Sequence, residues 1–186
     1  EKFINVGNIS YIMIATENLL LKQVFLKPMS RLRVRELARQ SKLDTKTVMK
    51  HLNVFAKRKL IVRKQEKHKY PYYEPNRLSL IYRHEKSELL IRKIIECGLI
   101  EYLETELSPR AIVLFGSVQK GTYHEESDID IFVQADYKKL GLHKFENRLG
   151  HKINPLFELN LKKLSEGLLT NIYNGLVLYG QLEVLR

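Results

Sequence analysis

Asp128 and Asp130 stand two residues apart in "LFGSVQKGTYHEESDIDIFV" (Leu114 to Val133), a stretch otherwise patterned as a buried strand. Side chains alternate across a strand, so both carboxylates project from one face while Ile129, Ile131 and Val133 project from the other. Adjacent carboxylates repel, and a hard divalent cation such as Mg²⁺ or Mn²⁺ held between them offsets that cost. Upstream, separated from Asp128 by ten residues, come Gly116 and Ser117. Glycine at a strand end lets the backbone approach a phosphate closely, and a serine hydroxyl at the start of a short helix sits among unpaired N–H groups that favour anions. The two halves read as one site, a phosphate cradle beside a metal clamp, suited to a nucleoside triphosphate.

The elements that must position this site follow from the pattern around it. An apolar strand "AIVLF" (Ala111 to Phe115) leads into the turn "GS", a short helix around Val118 to Lys120, the loop "GTYHEES" and the strand "DIDIFV". A helix over "YKKLGLHKFENRLG" (Tyr137 to Gly150), a third strand "INPLFEL" from Ile153 and a final helix from Leu161 to about Asn174 follow, ending in "GLVLYG". Alternating strands and helices predict an α/β domain around a small mixed sheet. His124, Glu125 and Glu126 read as loop surface, and Ser127 as a turn or cap.

Over about Ala111 to Gly180 the chain resembles the DNA polymerase β-like nucleotidyltransferase superfamily, in particular its minimal members. Their pattern "FGSxARGxxxxxSDIDLxV" stands against "FGSVQKGTYHEESDIDIFV" here. The resemblance implies that Asp128 and Asp130 bind two Mg²⁺, and that Lys120, where the family commonly has arginine, lies near phosphate. It further implies transfer of a nucleoside monophosphate, from ATP or another triphosphate, to a hydroxyl with release of pyrophosphate. The family brings a third carboxylate from the neighbouring strand; here "INPL" aligns Asn154 to that place, a neutral and weaker ligand. Glu158 shares the parity of Asn154 but stands ~13 Å further along a strand, too far to share the metal. Nucleotide and metal binding survive this loss better than turnover does.

Charge divides the chain. Residues 1–77 hold 18 Lys and Arg against 6 Asp and Glu, a balance of +12, while residues 78–186 balance at −1. Such a basic segment beside a neutral one predicts a polyanion partner for the first, most simply nucleic acid. A helix is expected from about Thr16 to Lys27, stopped by Pro28, and a second over "RVRELARQS" (Arg33 to Ser41). A third, capped by Asp44, runs to about Lys59 with Val48, Leu52 and Phe55 inward. A hairpin follows: a strand at Leu60 to Val62, a charged tip from Lys64 to Lys69 and a return strand at Tyr70 to Tyr73.

This order resembles a winged helix-turn-helix, which implies a third helix in the major groove of DNA. Thr45, Lys46, Thr47, Lys50 and His51 are then the expected base and phosphate contacts, and Arg63, Lys64, Lys67 and Lys69 of the wing lie along the backbone. The same surface suits a protein partner or dimerisation. Tyr70, Tyr72 and Tyr73 are expected to pack the wing on the helices.

Between the two lies a helical stretch, Leu78 to Leu107, with an apolar stripe through Leu89, Ile91, Ile94, Ile95, Leu99 and Leu103 and a weak point at Gly98. It reads as a linker, and its stripe also suits a homodimer interface. The expected organisation is an α+β protein of two domains: a winged helix-turn-helix over 1–77, the linker helix over 78–107 and a nucleotidyltransferase-like domain over 108–186.

No apolar run is long enough to span a bilayer and no secretory pattern opens the chain, so no membrane partner is expected. The lone Cys97 forms no internal disulfide and reads as a buried helix residue in a reducing cytoplasm. An opening Glu1 rather than Met suggests that a few leading residues are missing. After the sheet there is room for one helix and a tail, which argues against a template-directed polymerase. Two function classes remain open. One is an enzyme that nucleotidylates a small molecule or a protein, as minimal family members modify a partner toxin; the other is a DNA-binding regulator whose second domain senses nucleotide or only assembles a dimer.

Overall fold

Apolar periodicity makes the helices of the first segment, the second of which ends at a left-handed Lys42. The computed structural model describes residues 6–183, with side chains from residue 15, so the expectation about Glu1 lies outside the described residues. The chain divides after Tyr82 into two units, residues 1–82 and 83–186.

In the first unit, helix α1 (Val6–Leu26) begins ten residues before the expected Thr16 and stops two short of Pro28. Helices α2 (Val34–Ser41) and α3 (Thr45–Lys57) follow. Asp44 caps α3: its carboxylate accepts the Thr47 N–H at 2.8 Å. Hydrogen bonds from the Thr47 side chain and then its backbone hold the Asp44 carboxyl below its ordinary pKa. Leu20, Val24 and Phe25 of α1 and Val48, Leu52 and Phe55 of α3 form the core. Strands β1 (Ile61–Lys64) and β2 (Tyr72–Pro75) pair antiparallel, Ile61 opposite Pro75 and Lys64 opposite Tyr72. The return strand thus starts two residues later than expected, and Tyr70 is exposed rather than packed, while Tyr72 and Tyr73 are buried. An isolated bridge, Leu32 to Tyr73, sets a third segment antiparallel to β2 that no strand pattern announces.

Helix α4 (Leu80–Glu96) spans the division between the units, and α5 (Leu99–Leu107) begins after a break at Cys97 and Gly98. The inward positions of α4 are Tyr82, Lys86, Leu90 and Ile94, at i, i+4 spacing. The expected stripe through Leu89, Ile91 and Ile95 is therefore rotated, and Ile95 is half exposed. Cys97 is half-buried, its thiol donating to the Ile94 carbonyl, and burial raises its pKa.

The second unit is built on a four-stranded mixed sheet, β3 (Ala111–Phe115), β4 (Ile129–Val133), β5 (Ile153–Phe157) and β6 (Leu176–Gly180), in the order β5-β4-β3-β6. β3 runs antiparallel to β4 and β6, and β4 parallel to β5. β6 was expected only as a tail. Between the strands lie α6 (Gly116–Gln119), α7 (His143–Leu149) and α8 (Glu166–Tyr173), with a 3-10 turn at Leu161–Lys163. The helix expected over Tyr137 to Gly150 is thus only its second half, and that expected from Leu161 to Asn174 is divided at Ser165. Pro155 sits in the edge strand β5, where a missing N–H is tolerated.

Register decides where the chemistry lies. Phe115, Asp130 and Asn154 form one row across β3, β4 and β5, and Val113, Phe132 and Leu156 form the next row on the same face. α8 and the Leu161 turn cover this face: Val113, Phe132, Leu161 and Ile172 make its core, with Leu156, Leu168 and Leu169 packed against it. The opposite face carries Ile112, Leu114, Ile131 and Val133, all buried. The Asp130 row therefore lies where the α8-covered core ends.

Candidate functional site

Strand β3 ends at Phe115 and the chain turns at once into α6, because Gly116 adopts φ +76°. A Cβ there would lie 2.4 Å from Oδ2 of Asp130, so the carboxylate rests directly against the glycine backbone. On its other side the Asn154 side-chain amide donates to Asp130 Oδ1 at 3.0 Å. Asp130 is thus held from both neighbouring strands, half-buried.

An open hollow of about 470 Å³ lies over this row. Gly116, Ser117, Lys120, Thr122, Asp130 and Asn154 supply its polar wall, and Phe115, Leu156 and Leu168 its apolar one; Asn171 of α8 closes it, its Oδ1 facing the Lys120 ammonium at 3.5 Å. Four of the five residues expected to serve one nucleotide site, Gly116, Ser117, Lys120 and Asp130, therefore meet. Asp128 does not join them. It precedes β4 by one residue, is exposed, and borders a second hollow with Glu125, Glu126, His143 and His151.

Asp130 and the Asn154 amide present oxygen donors of the kind that suit Mg²⁺ or Mn²⁺, while Asp128 borders the neighbouring hollow. Among the described residues no three His, Cys, Asp or Glu side chains converge. The donor set fits a cation that shares its coordination with phosphate and water more than one enclosed by protein. Glu158 lies past the end of β5 and is engaged elsewhere, accepting the Asn160 N–H at 2.9 Å and lying 3.8 Å from the Lys163 ammonium.

Thr122, Asn171 and Leu168 were missed from sequence. Thr122 carried a signal, sharing its parity with Lys120 in the segment after α6. Asn171 carried none, since it reaches the hollow only through the packing of α8.

In the basic unit, Thr45, Lys46 and Lys50 are exposed on the first turns of α3, and Thr47 is half-buried with its N–H committed to Asp44. His51 is turned inward, 8% exposed, with its ring 6.1 Å from that of Phe55. It stands three residues after Val48 and four before Phe55, on the buried stripe, which corrects its expected place among exposed contacts. Arg63, Lys64, Lys67 and Lys69 are exposed on the hairpin, and Lys69 is paired with Glu66. Arg31 and Arg35, not singled out from sequence, lie 4.8 Å and 5.9 Å over the rings of Tyr72 and Tyr70.

No helix among the described residues is long and apolar enough to cross a membrane. No curated protein matches the sequence. The family described as polymerase beta, nucleotidyltransferase, matches residues 80–183, from the start of α4 past the end of β6, so that the basic helices and hairpin lie outside it. With that match over more than half its length, and with Gly116, Ser117 and Asp130 gathered around one hollow, the chain belongs to the polymerase beta nucleotidyltransferase family.

Proposed function

We propose that this protein is a DNA-binding regulator whose nucleotidyltransferase-family domain binds a nucleoside triphosphate, ATP in the first instance, and turns it over slowly. One observation carries the reading: the Asn154 amide donates to Asp130 Oδ1 at the position where the family pattern brings a further carboxylate. An amide donor there adds no negative charge to hold a second cation, yet it leaves the triphosphate cradle whole. Asp130 would hold Mg²⁺ or Mn²⁺, whose chemistry in such sites is to neutralise phosphate charge and polarise the phosphoryl group. Lys120 places an ammonium on the phosphate side, and Ser117 a hydroxyl at the start of α6.

The DNA-binding half of the proposal is supported by the +12 balance of residues 1–77 and by the order helix, helix, hairpin of α2, α3, β1 and β2, which resembles that of a winged helix-turn-helix. Exposed Thr45, Lys46 and Lys50 are the contacts expected in the major groove. Arg63, Lys64, Lys67 and Lys69 are those expected along the phosphates.

A second reading, transfer of a nucleoside monophosphate to a hydroxyl of a small molecule or a partner toxin, is favoured by the intact set Gly116, Ser117, Asp128 and Asp130. Calorimetry with Mg-ATP, followed by pyrophosphate release with and without cell lysate, separates the two. Binding with slow release that lysate does not raise supports the regulator, and release that lysate raises supports the transferase. Absence of binding overturns both.

A further inference from the structure

The segment Gln119 to Tyr123, between α6 and the approach to β4, alternates in what it faces. Lys120 and Thr122 line the hollow with Asp130. Gln119, Gly121 and Tyr123 meet α4 instead. Ser87 Oγ donates to the Gln119 carbonyl at 3.1 Å. Gly121, at φ +65°, lies so close that a Cβ would be 1.9 Å from the Arg83 carbonyl oxygen. The Lys86 ammonium donates to the Tyr123 carbonyl and lies 4.5 Å over the Tyr123 ring, while the Tyr123 hydroxyl donates back to the Lys86 carbonyl at 3.0 Å. Arg83, Lys86 and Ser87 stand at i, i+3 and i+4, so one face of one helical turn makes every one of these contacts.

We propose that this turn of α4 is a bracket for the segment, with Lys86 its positioning residue, and that Thr122 is a further phosphate-contacting residue beside Lys120. Lys86 is 1% exposed, and a buried ammonium holds tightly to its acceptors, among them the Tyr123 carbonyl and ring face. The amides of Lys120, Gly121 and Thr122 are bonded to the carbonyls of Gly116, Val118 and Ser117, so the bracket fixes the segment and the phosphate turn together. The Lys120 ammonium and the Thr122 hydroxyl are thereby presented to the hollow before any ligand arrives, which saves the cost of ordering them on binding. The phosphate role rests on the nucleotide reading above; the bracket itself does not.

The test uses the full chain with Lys86→Met and Thr122→Val, reading amide hydrogen exchange without ligand, Mg-ATP affinity and the unfolding midpoint. Lys86→Met is expected to speed exchange at residues 120–122 by about tenfold or more, leave the β1–β2 hairpin unchanged, and weaken Mg-ATP by about tenfold. Thr122→Val is expected to leave exchange unchanged and weaken Mg-ATP by roughly three- to tenfold. Unchanged exchange in Lys86→Met overturns the bracket. Faster exchange with unaltered affinity overturns the positioning role, and unaltered affinity in Thr122→Val overturns the contact. If Lys86→Met does not fold, Ser87→Ala, which removes only the bond to Gln119, is read in the same way. A wild-type chain that binds no Mg-ATP overturns the nucleotide reading and the phosphate roles with it, and the exchange arm then decides the bracket alone.

Discussion

Asn154 donates its side-chain amide to Asp130 across the parallel pair of β5 and β4, at 3.0 Å, so the two residues form a neutral-to-anionic hydrogen bond where two carboxylates would repel. The bond stabilises the site without metal. Replacing the amide by a carboxylate reverses that balance.

Asn154→Asp is therefore expected to lower the unfolding midpoint in the absence of divalent cations and to restore it when Mg²⁺ is added. Pyrophosphate release from ATP should rise by about tenfold or more over the parent chain. Parallel unfolding scans with Mg²⁺ and with chelator, and a coupled pyrophosphate assay, check this. An unchanged midpoint in both conditions counts against a cation at Asp130.

Gly116→Ala forces a Cβ to within 2.4 Å of Asp130 Oδ2 and places a non-glycine residue at φ +76°. Either effect alone costs about 1–3 kcal/mol. The variant is expected to unfold earlier and to lose Mg-ATP affinity. Ser117→Ala, which leaves the backbone alone, should lose affinity without the stability cost. Thermal unfolding beside calorimetry separates the two variants.

The local part of the site was legible from sequence because it rests on parity and turn chemistry. Alternation puts Asp130 on the face opposite Ile129, Ile131 and Val133, and a glycine between a strand and a short helix announces the tight turn. Asn154 was reached by alignment with the family pattern rather than by parity. What could not be read was set by tertiary packing. Lys86 and His51 are polar residues on buried stripes, which polarity assigns to the surface. β6 was hidden because it is half exposed and bounded by Gly175 and Gly180, so it lacks the buried alternation of a central strand. The helix over Tyr137 to Gly150 was overextended because helical spacing in "KKLGLHKF" resembles that of the seven residues that do coil. Asp128 shows a smaller error, one residue outside the strand that was to carry it.

Burial pushes the Lys86 ammonium down from 10.5 to about 8. Below pH 8 both folded and unfolded chains keep the proton, and this residue contributes no pH dependence. Between about 8 and 10.5 the unfolded chain binds a proton that the folded chain has released, so stability rises with pH, by at most about 1.4 kcal/mol per unit. Tyr82, raised above its ordinary 10.0 by burial, opposes this above pH 10, where the unfolded chain loses its phenol proton first. Denaturant midpoints at pH 7.5, 8.5 and 9.5 should therefore climb in the parent chain and climb less in Lys86→Met. Equal slopes in the two would show that Lys86 keeps an ordinary pKa.

Arg63, Lys64 and Lys67 are exposed and form no ion pair among the described residues, whereas Lys69 is paired with Glu66. Binding to duplex DNA should weaken with salt, and Lys64→Ala and Lys67→Ala should each flatten the log–log slope by ~0.9. Lys69→Ala should change it less. Lys46→Ala and Lys50→Ala, on α3, should alter discrimination between duplex sequences as well as affinity. Fluorescence anisotropy between low and moderate salt checks both, and a salt-independent affinity would sink the assignment of these residues to phosphate.

Gly121 meets the Arg83 carbonyl backbone to backbone, with no side chain between them to bend or change rotamer. The seat therefore has no side chain to absorb a displacement, and any shift of the α4 backbone at Arg83 is passed straight to the segment that carries Lys120 and Thr122.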